Sequence, residues 1–234
     1  MPRCSSGILK TVGAILIAGV ATEIGYQLYL YFTHKRKDKT FPNDKRVFIN
    51  KVLIFPDKSV ACKKHFLTEN GCGNENCRFS HEKSSLSELF QYLNSAKSSL
   101  DVCVFTISFE DLADILVAKA KAGVTVRVIA DDEQVDVPGS QIWKLRAQGI
   151  ALRTDNSSYF MHHKFVIIDN SLLINGSFNW TRQAIMGNQE NLVIVNHPEI
   201  LEEFKKEFSK LWEDFDPKFI SNQPHLRAIH NYRH

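Results

Sequence analysis

Apolar and polar positions divide the chain into one long apolar run and a series of short blocks. Residues 11–32 form the run, with Glu23 its single charge. A stretch of about 22 residues is long enough for a helix to cross a bilayer. A cleaved signal peptide is the competing reading, with Gly19-Val20-Ala21 as its cleavage site. Apolar character continues, however, through Tyr26, Leu28, Tyr29, Leu30, Tyr31 and Phe32, past the end of an ordinary signal core. An uncleaved anchor is therefore expected. His34-Lys35-Arg36-Lys37-Asp38-Lys39 follows the run, whereas only Arg3 and Lys10 precede it. That basic excess places everything downstream in the cytosol.

Beyond a charged linker at 33–45, the pattern predicts strands at 46–55, 100–107, 124–130, 150–153, 164–168 and 192–195. Helices are predicted at 85–96, 110–122, 140–148 and 198–215. Ser85-Leu86-Ser87-Glu88 reads as a capping box opening the first of these. Alternating strands and helices predict an α/β fold, a mixed β-sheet flanked by helices. The expected organisation is a short segment at 1–10, the transmembrane anchor at 11–32, the basic linker at 33–45, a catalytic domain at 46–216 and a loose polar tail at 217–234.

Composition changes this picture little. Of 234 residues, 44% are hydrophobic and 24% charged, ordinary for a globular protein. A net charge of +3 does not mark a nucleic-acid binder. The cysteines are more telling. Cys62, Cys72, Cys77 and His81 follow a C-x9-C-x4-C-x3-H pattern within an insert at 62–81. Three thiolates and an imidazole suit tetrahedral zinc, and four protein ligands make such a site structural. His65 is a rival ligand in the sequence. The pattern resembles a CCCH zinc finger, a module that often contacts single-stranded RNA; Lys63, Lys64, Arg78 and Phe79 supply charge and a stacking surface. A purely structural flap is the other reading.

The strongest chemical signal is His162-His163-Lys164-Phe165-Val166-Ile167-Ile168-Asp169, followed by Gly176-Ser177-Phe178-Asn179. Side chains alternate along a strand, so His162 and Lys164 share a face and His163 takes the other. A neutral imidazole can attack phosphorus while a fixed ammonium holds the non-bridging oxygens, a pairing suited to a phosphodiester. Asp169 has the opposite parity and is expected to be structural.

These residues resemble the HKD motif of the phospholipase D superfamily, and within it the mitochondrial, Zucchini-type branch. The resemblance puts His162, Lys164, Asp169, Ser177 and Asn179 on motif positions and Glu190 on a later acidic one. It implies a phospholipase D-like fold and hydrolysis through a phosphohistidine. It implies cardiolipin or single-stranded RNA of the piRNA pathway as substrate, at the cytosolic face of the mitochondrial outer membrane. Many relatives carry two HKD motifs, whereas this chain has one. A homodimer with the active site on its two-fold axis would supply the second histidine. Lys164 and Asn179 would then bind phosphate oxygens with Ser177 assisting, and Glu190 would orient the His162 imidazole. No catalytic metal is expected; zinc belongs to the insert. An inactive RNA-binding or membrane-shaping adaptor of the same fold is the alternative, which the intact motif opposes.

Overall fold

The computed structural model describes residues 22–31 and 48–218. Two compact units divide the chain, Met1–Val47 and Phe48–His234. In the first, residues 22–31 are helical (α1), and Gln27 donates to the Glu23 carboxylate at 2.9 Å. Among the described residues, no helix is long and apolar enough to cross a membrane. The expected anchor at 11–32 lies mostly outside the described residues, as do the linker at 33–45 and the tail beyond 218.

The second unit is built on seven strands: β1 (Asn50–Phe55), β2 (Ser99–Val104), β3 (Thr125–Ala130), β4 (Ala151–Thr154), β5 (Lys164–Ile168), β6 (Leu172–Gly176) and β7 (Glu190–Val195). They form one sheet in the order β1-β7-β6-β5-β2-β3-β4. β2, β3 and β4 run parallel, and the remaining neighbours are antiparallel. The mixed sheet expected from the alternation is present. Its parallel part is connected by α4 (Glu110–Lys121) and α5 (Ile142–Ala147), which supply the long crossovers that parallel pairing needs.

β5 is buried along its whole length, which is why it reads as a continuous apolar run. Val166 and Ile168 face the larger core, shared with Leu86, Leu89 and Phe90 of α3 (Ser85–Asn94) and with Leu112 and Leu116 of α4. Phe165 and Ile167 face a smaller core against α7 (Pro198–Asp214), closed by Leu201 and Phe208. Arg127 fastens α7 there. It makes two 2.7 Å bonds to Asp101 and lies over the rings of Phe208 and Trp212.

The capping box starts one residue earlier than expected. Ser84 is the N-cap and exchanges side-chain bonds with Ser87. The reason is tertiary: the Ser85 hydroxyl donates to the Ile54 carbonyl, and the Ser85 and Leu86 amides donate to Asp57. Glu88 instead pairs with Lys51 at 3.0 Å and Lys83 at 3.4 Å. Four short elements escape the apolar pattern: β6, α2 (Lys63–Leu67), α6 (Arg182–Met186) and a single 3-10 turn at Asp132–Gln134. β6 follows a tight turn in which Asp169 and Asn170 both take positive φ, a conformation that short polar side chains tolerate best.

Candidate active site

β5 begins at Lys164, so His162 lies just before the strand rather than within it. The alternation still holds. His162 stacks at a tilt against Phe105, 4.7 Å between centroids, and Lys164 Nζ sits 4.9 Å from the same ring. His163 turns to the opposite face, 3.4 Å from Glu207 of α7 and edge-on to Phe165. Phe105 is therefore the platform for both motif side chains. Its own amide donates to the His163 carbonyl at 2.9 Å, tying the end of β2 to the start of β5.

Lys164 is buried and donates to the His162 carbonyl at 2.8 Å. Burial pulls its ammonium down to about 8, against the charges of Glu190 and Asp131, which favour the protonated form. His162 is also lowered from its ordinary value, by burial and then by the charges of Lys164 and His163. Both effects favour the neutral imidazole, the state a nucleophile needs. Behind it, Asp131 accepts the Met161 amide at 2.9 Å and so fixes the backbone ahead of His162.

Ser177 and Glu190 meet across the β6–β7 pair. The Ser177 hydroxyl donates to Glu190, Asn188 donates to the other carboxylate oxygen at 3.0 Å, and the Asn191 amide donates to Ser177 at 3.2 Å. Gly176 permits this approach, because a Cβ there would lie 2.0 Å from the Asn191 carbonyl oxygen. Within the chain, then, Glu190 holds Ser177 and Asn188 rather than the imidazole. Asn179 carries a buried side-chain oxygen without a hydrogen-bond partner among the described residues.

Asp169 lies at the far end of β5. Its carboxylate accepts the amides of Lys97, Ser98 and Ser99 and the Ser98 hydroxyl. Partial burial opposes ionisation, but these four donors win and hold the carboxyl at about 2. It anchors the entry to β2. Phe105, Asp131 and Glu207 escaped sequence reasoning because each reaches the site from a distant element with no local pattern. Asn188 lies in the bend just before β7 and was missed for the same reason.

The insert gathers Cys62, Cys72, Cys77 and His81 so that one ligand atom of each lies within 4.8 Å of the others. Cys62 and Cys77 sulfurs are 3.8 Å apart, the edge of a tetrahedron with metal–sulfur bonds of about 2.3 Å. The set fits zinc. His65 stacks on the His81 ring at 4.2 Å and stands outside the group.

Two open cavities flank these features. One, about 460 Å³, is lined by His162, His163, Met161, Asp155, Phe160 and Tyr159; the last two are 58% and 83% exposed. The other, about 420 Å³, lies beside the insert and is lined by Lys58, Arg78, Phe79 and Arg182.

A family model described as cardiolipin synthase, PLD-like domain, matches residues 89–212. The chain is 45% identical to a mitochondrial cardiolipin hydrolase of Chlamydomonas reinhardtii, over 70% of this chain and 73% of that protein. It is 36% identical to one of Danio rerio, over 92% of each. Among solved structures it resembles Nuc of Salmonella typhimurium, a phospholipase D family member, with TM-score 0.58 and 25% identity. That match covers 73% of this chain and 97% of Nuc.

Proposed function

The chain belongs to the phospholipase D family, as a hydrolase of its phosphodiesterase type, and from that premise we propose that a homodimer cleaves phosphodiesters through a phosphohistidine on His162. The observation that carries the proposal is the Phe105 platform, which holds His162 beside the buried ammonium of Lys164.

One His162 attacks phosphorus, forming the N–P bond as the P–O bond to the leaving group breaks. The leaving oxygen needs a proton, and no second imidazole of the motif exists in the same chain. The partner's His162, brought up across a two-fold axis and carrying the one proton the pair of imidazoles shares, donates it as an imidazolium. It then takes a proton from water, whose oxygen displaces the histidine and frees it. Lys164 stabilises the charge gathering on the phosphoryl oxygens. Asn179, with its amide side chain at the same loop, adds a donor, and Ser177 is held for the same task by Glu190. Asp169 stays structural. No step uses a metal-bound water; zinc on Cys62, Cys72, Cys77 and His81 stabilises the insert.

We propose cardiolipin as one substrate, giving phosphatidic acid at the mitochondrial outer surface. The names of the relatives support it, and so do Tyr159 and Phe160, exposed apolar rings beside His162 that suit an acyl chain. An anchor at 11–32 with the body in the cytosol completes this placement. A second reading, endonuclease action on single-stranded RNA in piRNA biogenesis, is favoured by the cationic cavity of Lys58, Arg78 and Arg182. Purified dimer should be compared on cardiolipin liposomes and on single-stranded RNA, with His162→Asn as control. Turnover of either substrate that disappears in the variant is expected; equal turnover by the folded variant would move the chemistry away from His162.

A further inference from the structure

β3 and β4 are parallel neighbours, and each is followed at once by acidic residues: Asp131 and Asp132 after β3, Asp155 after β4. Their register sets Ala130 opposite Thr154, so the carboxylates leave the sheet side by side. One oxygen of each lies within 4.8 Å of the other two. Asp131 and Asp155 are 0% and 3% exposed. Asp131 accepts the amides of Met161 and Glu133, and Asp155 Oδ1 accepts the Asp132 amide at 2.9 Å. The second oxygen of Asp155 is buried and has no hydrogen-bond partner among the described residues.

Three carboxylates this close repel one another, and burial strengthens the repulsion. Among the described residues neither Asp131 nor Asp155 forms a salt bridge; Lys164, whose charge acts on Asp131, donates its hydrogen bond to the His162 carbonyl. A cation that binds several oxygens at once would satisfy the unpartnered Asp155 oxygen and offset the repulsion between Asp131 and Asp155. Access exists, because Asp155 lines the cavity that also holds His162 and Met161.

We propose that Asp131, Asp132 and Asp155 bind one hard divalent cation, of the Ca2+ or Mn2+ class. The donor set is all oxygen, with neither sulfur nor imidazole, which selects such ions over zinc. Water from the cavity fills the remaining coordination positions. The ion is structural: it closes the ends of β3 and β4 and steadies the segment from Asp155 to His163, to which Asp131 is joined through the Met161 amide. It is separate from the sulfur-ligated insert and takes no part in bond breaking. The inference stands apart from the choice of substrate, since its test reads ion binding rather than turnover.

The test uses the full chain freed of loosely held ions. Mn2+ uptake is followed by electron paramagnetic resonance, and melting is followed with and without Ca2+. One Mn2+ per chain, displaced by Ca2+, is expected, with a melting temperature that rises as Ca2+ is added. Asp155→Asn should abolish uptake. Asp132→Asn, at a half-buried position that the core does not need, should weaken it at least ten-fold while the ion-free variant melts cooperatively like the ion-free wild type. Absence of saturable Mn2+ uptake at millimolar concentration would overturn the proposal, as would uptake unchanged in Asp132→Asn.

Discussion

Lys164 shows how far one side chain can be driven by its surroundings. Burial lowers its ammonium to about 8, while Glu190 and Asp131 limit the fall. The charged form is the one that binds phosphoryl oxygens, so activity should decline as pH rises through about 8. Lys164→Arg, whose guanidinium stays charged, should remove that basic limb even if the rate is lower. A wild-type profile flat to pH 10 would exclude Lys164 as the charge that matters. Lys164→Ala should lower the rate by 10²-fold or more, roughly the loss of one preorganised donor. Asp169 is the opposite case. Its carboxyl is held at about 2, below an unfolded value of 3.8, so its stabilisation is complete above about pH 4 and disappears as pH falls towards 2. Asp169→Asn should cost about 2 kcal/mol in urea denaturation, the scale of hydrogen bonds to a charged group. The folded variant should still hydrolyse its substrate, because Asp169 touches the β2 entry and not the His162 pocket.

At the scale of elements, the Cys/His insert is joined to the body by a short backbone seam, by Phe66, Leu67 and Phe79 packed partly buried on the main core, and by Lys63 paired with Asp111 and Asp114. Ala61 bridges Ser80, the Cys62 amide donates to the Ser80 carbonyl at 2.8 Å, and the Ser80 amide donates to the Val60 carbonyl at 2.8 Å. Among the described residues α2 buries none of its own side chains. Such a loop is too small for a core and needs a metal to hold its shape. Replacing both Cys72 and Cys77 by Ala should remove zinc and expose the insert to proteolysis while the sheet persists. Zinc retained in full by that variant, measured by atomic absorption, would refute the ligand assignment. α7 is built differently. It is tied by Phe208 and Trp212 beneath Arg127, and by Arg153, which lies over Trp212 at 4.4 Å and bonds Asp216 at 2.6 Å.

The whole molecule carries one motif, and the chemistry asks for two histidines. If each catalytic centre takes one His162 from each subunit, a mixed dimer of wild-type and His162→Asn chains has no complete centre. With three mutant chains for each wild-type chain, random pairing leaves about one sixteenth of the dimers active, where simple dilution would leave about one quarter of the activity. If the HKD face makes the proposed contact, a body beginning at residue 46 should sediment as a dimer. An active monomer, or mixed dimers at half the wild-type rate, would end the paired-histidine mechanism.

Sequence alone determined the features that depend on neighbours along the chain. The His162–Lys164 alternation, the burial of β5 and the limits of α4 follow from local periodicity, and the Cys62–His81 spacing pointed to the four side chains that the fold gathers, while leaving His65 open. The Asp169-Asn170 turn was not read from the sequence, and β6 beyond it was too short to stand out. Tertiary structure decided what comes from distant strands. It set Phe105 under His162, moved the helix cap to Ser84 by offering Ile54 and Asp57 as partners, and gave Glu190 to Ser177 instead of the imidazole. It also brought Asp155 beside Asp131, two residues 24 positions apart that parallel pairing makes neighbours. Periodicity reports which face a residue takes, but only strand register reports what it meets there, and register is a property of the folded sheet.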